Sequence, residues 1–306
     1  MASKVLDLLS LTRPVLRLKV ACTLVFLCAM ALVTAAEKKI ILIAGRPSHG
    51  PGDHEFRAGC LLVQKCLNAV PEITATVYSN GWPHEANAFD GAAAILIYSD
   101  GGPGHPAIKP DRLKLLGELM GKGVGLGLVH YAVEVPKDKG GPEFLDWTGG
   151  YFEAYWSVNP HWTADFTKLP EHPITRGVKP FKIHDEWYYH MRFRDGMKGV
   201  TPILTAVPPD STRGKEGDNK SHGGNPHAFA RKGMPEHVMW VTERPDGGRG
   251  FGFTGAHYHK NWGHDDFRKL ILNALLWIAK ADVPAQGVEC KLSPDELNAN
   301  LDPKGK

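Results

Sequence analysis

Continuous apolar runs, each ending at a glycine or a polar residue, constrain the fold of this chain most strongly. They cover residues 39–44, 92–98 and 123–129. Segments in which apolar residues recur at helical spacing lie between them, at 55–69 and 111–120. Because parallel strands need a crossover connection and are buried on both faces, this alternation predicts an α/β fold. The expected core is a doubly wound, mostly parallel sheet with helices on both faces.

The remainder of the chain predicts an extension of the same sheet. Further strands are expected at 73–78, 200–207, 237–242 and 250–254, and a strongly amphipathic helix at 265–280. No internal repeat or obvious linker interrupts the pattern, so we expect one α/β domain over residues 37–285. The last residues, 286–306, are polar and are predicted to form a loose tail.

Residues 1–36 have the layout of an export signal. A basic stretch up to Lys19 precedes Val20–Val33, an uncharged apolar run, and the small residues Thr34, Ala35 and Ala36 follow. The run is shorter than the roughly 20 residues that a membrane-spanning helix needs. We therefore expect a cleaved signal peptide, a periplasmic or secreted protein, and no stable membrane span after cleavage. An uncleaved N-terminal anchor is the alternative.

The charge of the chain is concentrated in that N-terminal segment. The formal net charge is +3, from 36 basic and 33 acidic side chains. Lys4, Arg13, Arg17 and Lys19 against Asp7 account for this whole excess. The rest of the chain is balanced, which argues against a nucleic-acid partner, because such proteins need a basic face. A balanced body fits a neutral small molecule such as a sugar.

Three of the five cysteines would remain after cleavage: Cys60, Cys66 and Cys290. An odd number leaves at least one thiol free in an oxidising compartment. Cys60 and Cys66 lie six residues apart on a predicted helix and so point in different directions, which argues against a bridge between them. Buried, apolar cysteines are the simplest expectation.

Histidines and acidic residues follow the predicted strands of the sheet. The loops at 48–56 and 100–105 contain His49, His54 and Asp100, and His130 comes directly after a strand. Ligands bind at the carboxyl ends of strands in such sheets, and histidine can ligate a metal or move a proton near neutral pH. Helix-capping loops, a simple turn and a buried structural histidine are the alternatives.

Two further motifs lie in the second half of the chain. Asp185 and Glu186 are adjacent, so in a strand only one of them can face a crevice, where it would act as a general acid or base. A structural ion pair is the alternative. His257 and His259 would share a face of a continued strand and form one edge of a metal site. A surface loop is the other interpretation.

These motifs together resemble the ThuA-like (trehalose utilisation) family of the class I glutamine amidotransferase-like superfamily. The resemblance rests on segments spread over about 240 positions, which share the family's order and spacing. The segments are 39–56, 97–102, 125–132, 172–177, 185–189 and 252–279. It implies a flavodoxin-like sheet, a crevice lined by His130, Glu186 and His257, and a link to carbohydrate metabolism, particularly oxidised (keto) sugars and glycosides. Amidotransferases carry a nucleophilic cysteine where this chain has His130, so cysteine-dependent amide hydrolysis is disfavoured.

The leading hypothesis is an exported enzyme, a carbohydrate-directed hydrolase, lyase or isomerase. His130, Glu186 and His257 are the expected catalytic residues, and His130 and His257 are the expected ligands of one divalent metal ion. Aromatic rings of the segment 147–162 would stack on the sugar, Tyr151 among them. The expected substrate-binding residues are His49, His54, Asp100, Tyr131, Trp156, His161 and Trp162. A carbohydrate-binding module without catalysis is the alternative.

Overall fold

A seven-stranded sheet forms the centre of the protein. The computed structural model describes residues 37–304. The strands lie in the order β2-β1-β3-β4-β11-β10-β9, and the first five are mutually parallel. Their bounds are β1 Lys38–Ala44, β2 Ile73–Tyr78, β3 Ala92–Tyr98, β4 Gly125–Val129, β9 Val200–Ala206, β10 Glu236–Glu243 and β11 Arg249–Phe253. The order 2-1-3-4 followed by a fifth parallel strand is that of flavodoxin-like sheets.

Helices cover both faces of this sheet. They are α1 Phe56–Leu67, α2 Pro110–Gly121, α3 Gly141–Thr148, α4 Pro226–Phe229, α5 Asp265–Ile278 and α6 Pro294–Asn298. Side chains alternate across β1, so that Ile40 and Leu42 pack on one face with α1 and α5. Ile41 and Ile43 pack on the other face with α2 and α3. The predicted doubly wound α/β fold is confirmed.

The predicted strands at 200–207 and 237–242 extend the sheet as expected, but they are antiparallel neighbours. β10 pairs antiparallel with both β9 and β11. For β10 and β11 the physical reason is their short connection, since a few residues suffice for a hairpin and not for a crossover.

Two small antiparallel sheets occupy the middle of the chain, where no strands were predicted apart from the segment around Asp185. They consist of β5 Gly150–Tyr151 with β8 Arg192–Phe193, and β6 His161–Phe166 with β7 Phe181–Glu186. Burial alternates residue by residue along β6. Its period of two was therefore present in the sequence, hidden among unevenly spaced aromatic residues.

The C-terminal segment packs against the domain, so the expectation of a loose tail was wrong. Cys290 forms a disulfide with Cys66 of α1, and their Cα atoms are 5.4 Å apart. The nearly buried Lys304 ammonium lies 3.2 Å from the Glu55 carboxylate at the start of α1. Cys60 is a free, buried thiol, and burial raises its pKa above the ordinary value. These contacts attach the end of the chain beside the first polar loop.

The predicted signal peptide, residues 1–36, lies outside the described residues. From residue 37 to residue 304, no helix is both long enough and apolar enough to cross a membrane.

Candidate functional site

The carboxyl ends of the parallel strands bring the predicted polar residues together. His54 follows β1, Asp100 follows β3, His130 follows β4 and His257 follows β11. The loops are tied to one another, because the His54 backbone N–H donates to the carbonyl of His257 at 2.9 Å. Glu186 reaches the same place from the end of β7. The strand order thus assembles one site from residues 203 positions apart.

Four side-chain atoms converge at the centre of this site, which we call the histidine cluster: His54, His130, Glu186 and His257. His54 Nε2 lies 3.0 Å from His130 Nε2 and 3.0 Å from His257 Nδ1. Glu186 Oε2 lies 3.0 Å from His257 Nδ1 and 3.4 Å from His130 Nε2. All four residues are buried. The structure brings the predicted trio together, and His54, expected in a substrate-binding role, is the fourth member.

The outward-facing nitrogens determine which ring atoms of the cluster carry hydrogen. His130 Nδ1 lies 2.9 Å from the carbonyl oxygen of Thr254, and His54 Nδ1 lies 3.1 Å from Asp100 Oδ1. Because carbonyl and carboxylate oxygens only accept, both Nδ1 atoms must donate. A neutral ring has one hydrogen, so each Nε2 presents a lone pair. His257 differs, because its Nε2 lies 3.6 Å from Asp53 Oδ1, too far for a hydrogen bond. Although burial opposes protonation of His257, the Glu186 carboxylate beside Nδ1 raises the pKa of that ring above its ordinary value.

Lone pairs facing one another at 3.0 Å repel unless a cation lies between them. Burial, reinforced by the neighbouring imidazoles, holds the pKa of His54 far below its ordinary value, so that ring is neutral at pH 7. Burial opposes ionisation of Glu186, but when a proton is shared within the cluster, hydrogen bonds from His130 and His257 outweigh burial and lower the pKa of that carboxyl. The arrangement is a buried carboxylate with three nitrogen atoms, which suits a divalent metal ion or a shared proton.

Adjacent carboxylates have different surroundings here. Asp185 is completely buried and accepts hydrogen bonds from the backbone N–H groups of Ala256 and His257 at 2.7 and 3.0 Å. It also accepts one from the Asn261 side chain at 2.9 Å. Glu186 instead faces the imidazoles. The expectation that only one of the pair faces the crevice is confirmed, and Asp185 holds the loop that carries His257.

Backbone strain is concentrated at this site. His54 has φ +49°, His130 has φ +56°, and Ala256, next to His257, has φ +83°. His49, beside the cluster, has φ +61°. Non-glycine residues avoid this left-handed region, and such conformations persist where the surrounding structure holds a functional geometry.

A rim of predicted and unpredicted residues surrounds the cluster. The ring of His49 stacks on that of His54 with 3.6 Å between centroids, and Tyr131 lies 6.0 Å from His54 by the same measure. His161 pairs across the β6–β7 hairpin with Glu186, 3.8 Å from its carboxylate. His49 and His161 are both exposed on one side, with 43% and 45% of their side chains accessible.

Residues that the sequence analysis missed complete the surroundings. The Tyr188 hydroxyl lies 3.3 Å from Glu186 Oε2 and 3.4 Å from His130 Nε2, and it is buried. Asp53 and Thr254 contact outer nitrogens of the cluster. Tyr188 could have been identified from its place in the segment 185–189, which also contains Glu186. Thr254 contacts His130 through its backbone carbonyl, so its residue type could not have indicated this role.

The expected aromatic platform is not at this site. Trp162 is buried in the core, and its Nε1 donates to the carbonyl of Trp187 at 2.9 Å. Tyr151 is also buried, and its hydroxyl donates to Glu153. Trp156 is half-buried, and its ring contacts His190 and Arg192, neither of which belongs to the histidine cluster. Because Trp162 and Tyr151 pack inward, they cannot stack on a sugar.

The proposed pairing of His257 with His259 is wrong as well. β11 ends at Phe253, so the alternation of a strand does not reach these residues. His259 begins a short 3₁₀ helix, and its Nε2 lies 2.7 Å from the carbonyl of Leu297 in the C-terminal segment. His257 alone enters the cluster.

Solved structures that are similar to this fold include two ThuA-like proteins. A putative ThuA-like protein from Bacteroides uniformis superposes with a TM-score of 0.56 and 16% identity, covering 80% of this chain and 92% of that one. A second, from Parabacteroides merdae, has a TM-score of 0.53 and 14% identity, with 85% and 94% covered. A glutamine amidotransferase from Thermotoga maritima has a TM-score of 0.43 and 7% identity, with 80% and 99% covered.

No curated protein sequence matches the chain. The family model described as "ThuA: Trehalose utilisation" matches residues 50–278, a span that includes every member of the histidine cluster. The chain belongs to the ThuA family.

Proposed function

We propose that this protein is an exported enzyme that acts on a sugar or keto-glycoside at the histidine cluster, and that the cluster binds one divalent metal ion. The observation that carries the proposal is the orientation of His54 and His130. Each donates its outer ring hydrogen to an oxygen, and the two inner nitrogens lie 3.0 Å apart. Histidines that bind metals are oriented by the same kind of outer hydrogen bond.

The composition and spacing of the cluster support a metal such as zinc. Bonds of roughly 2.0–2.1 Å to nitrogen and oxygen place neighbouring ligand atoms about 3.3 Å apart around a tetrahedral ion. Four of the six pairs of cluster atoms lie 3.0 to 3.4 Å apart, whereas His54 and Glu186 are not in contact, so a tetrahedral ion would draw these two side chains closer together. Imidazole also suits iron, nickel and copper. A cation bound there would polarise a substrate carbonyl as a Lewis acid.

Proton transfer would then fall to the exposed rim. Burial lowers the pKa of both His49 and His161 below the ordinary value, despite the carboxylates beside them. Both rings are therefore neutral at pH 7 and able to accept a proton. Abstraction of a proton next to a carbonyl, as a keto-sugar requires, needs such a base within reach of solvent and substrate. Glu186 and His130, if free of metal, would take this role.

The disulfide supports the proposed export. Disulfides persist in oxidising compartments such as the bacterial periplasm and are rare in the cytosol. Cys66 and Cys290 form such a bond. We expect the periplasmic fraction to contain a chain that begins at residue 36 or 37. N-terminal sequencing of that fraction checks this, and an intact first residue in the exported protein would contradict cleavage.

Turnover of a panel of keto-glycosides, with trehalose as a parent sugar, tests the proposed function. The variant is His130→Asn, because asparagine tolerates a positive φ better than most residues. We expect it to lose turnover, with a melting temperature close to that of the wild type without metal. The control is His184→Asn, which lies outside the cluster. Saturable sugar binding with no product under any metal would favour the binding module instead.

A further inference from the structure

A cavity of about 410 Å³ lies beside the histidine cluster, at the carboxyl ends of β1 and β3. Gly45, directly after β1, and Ser99 and Asp100, directly after β3, form one wall. The connections from β1 and β3 run in opposite directions along the sheet, since β2 lies on one side and β4 on the other. Such a switch point is where open α/β sheets bind ligands. The volume lies within the roughly 300–1,000 Å³ of small-molecule sites.

Positive charge dominates the lining of this cavity. Arg46, Lys109 and Arg112 all line it. None of the three forms a salt bridge with a carboxylate of residues 37–304. The cavity is also bordered by the start of α2 at Pro110, whose helix dipole adds positive potential.

The single carboxylate in the lining is already engaged. Asp100 Oδ1 accepts from the Ser48 hydroxyl at 2.9 Å and from His54 Nδ1 at 3.1 Å. These donors are neutral, so Asp100 keeps its negative charge, but the three cations outnumber this single carboxylate and the lining stays positive. Asp100 is also the physical link between the two sites, since one of its oxygens touches the cluster and its side chain lines the cavity.

We propose that this cavity binds an anionic oxygen group, a carboxylate or a phosphate, carried by the substrate whose reacting carbon lies at the histidine cluster. That the anionic molecule is the substrate of the histidine cluster rests on the proposed function, whereas the anion site itself does not. Guanidinium groups pair with carboxylate and phosphate through two parallel hydrogen bonds, and a lysine adds a point charge. The substrate class is thus a sugar acid or a sugar phosphate.

The remaining lining suits the carbon skeleton of such a molecule. Trp82 and Ile108 provide apolar surface, and the Arg112 guanidinium lies 5.3 Å from the centroid of the Trp82 ring. This contact orients the Arg112 side chain without neutralising its charge. The neutral sugar suggested by the balanced net charge of the body is therefore replaced by an anionic one, since local charges decide what a cavity binds.

Binding of glucuronate, glucose 6-phosphate, inorganic phosphate and glucose to the protein tests the proposal. The titrations are run with a chelator, so that no carboxylate binds through a metal. We expect at least one anionic sugar to bind about tenfold or more tightly than glucose, and to weaken as salt is added. The double variant Lys109→Gln, Arg112→Gln should lose this preference, and Lys122→Gln, which removes a charge outside the cavity, should keep it.

Each outcome of these titrations either supports or overturns the proposed anion site. If glucuronate binds more tightly than the other ligands, the substrate is a sugar acid. If glucose 6-phosphate binds more tightly, the substrate is a sugar phosphate. Equal affinity for glucose and both anionic sugars overturns the proposal, as does a preference that survives in the double variant, or binding of inorganic phosphate without either anionic sugar. Metal content is measured separately, on chelator-free protein from the same preparation after reconstitution with zinc, manganese or nickel. Anion preference in a wild type that binds no metal would leave this inference standing while the metal site falls, and the reverse result would reject the anion site alone.

Discussion

The histidine cluster and the aromatic segment at residues 147–162 are both rich in ring side chains, but their polar atoms are arranged in opposite ways. In the cluster, Nε2 atoms of His54 and His130 face each other with their hydrogens on the far side. In the aromatic segment, Trp162 Nε1 and the Tyr151 hydroxyl donate to acceptors within the fold.

This difference separates a functional region from a structural one. A buried polar atom normally has a partner, so the facing lone pairs of His54 and His130 favour the proposed cation between them. Aromatic residues with satisfied polar atoms contribute packing instead. Ring content alone therefore does not identify a sugar site, whereas convergent lone pairs support the cation site that we propose.

The largest expected effect comes from removing a member of the cluster. His257→Ala should abolish metal binding at micromolar concentrations, because one of four convergent atoms is lost from a site with no spare ligand. His259→Ala is a matched control two residues away, and it should bind metal like the wild type. Isothermal titration with zinc measures both. Equal affinity of His257→Ala and the wild type would remove the distinction between the two regions.

The aromatic segment should respond in the opposite sense. Trp162→Ala leaves a cavity in the core and should lower the free energy of unfolding by about 3–5 kcal/mol. Metal affinity of the folded protein should stay at the wild-type value. Urea unfolding gives the first quantity and zinc titration the second. A stable Trp162→Ala variant with weakened sugar binding would restore the stacking role that the sequence suggested.

A smaller effect is expected from the groups that orient the cluster. Asp100→Ala removes the acceptor from His54 Nδ1, and such losses weaken metal binding by about 10–100-fold. Asp53→Ala should weaken it less, because its contact with His257 is 3.6 Å rather than 3.1 Å. Titration of both variants ranks them. If Asp53→Ala weakened metal binding more than Asp100→Ala, the orientation of His54 by Asp100 would not be what determines metal affinity.

The smallest effect concerns a histidine outside the cluster that has a partner of its own. The side chain of His222 lies 3.1 Å from Glu134, and this hydrogen bond raises the pKa of His222 above its ordinary value. Its contribution to stability is present below the unfolded pKa of 6.5 and is lost as pH rises through the folded value. Because His222 is about one-third exposed, we expect less than about 1 kcal/mol. Melting curves of Glu134→Gln against the wild type at pH 5.5 and 8 measure it; an equal difference at both pH values would contradict the pairing.

The sequence predicted the sheet well and the site in part. Apolar runs locate the strands, and because parallel strands end at one edge, the same runs predict that Asp100, His130 and His257 meet. The role of His54 was not predictable, since it depends on a loop that is held by the His257 backbone and by the C-terminal segment. Placing His54 in the cluster required knowledge of that loop.

The error at Trp162 has a different origin. Neighbouring residues of β6 face opposite sides, so His161 reaches Glu186 and Trp162 enters the core. A shift of one residue would exchange them, and nothing in the local sequence fixes which face of this hairpin is outside. The disulfide between Cys66 and Cys290 was equally hidden, because pairing over 224 residues depends on the complete fold.

Metal content after reconstitution tests the central claim most directly. The protein is exposed to zinc, manganese or nickel, freed of excess ion by gel filtration and analysed by mass spectrometry for metal per chain. The histidine cluster predicts one ion per chain with at least one of these metals, and none in the double variant His54→Asn, His130→Asn. No bound ion from any of the three, or one ion retained by the double variant, would contradict it.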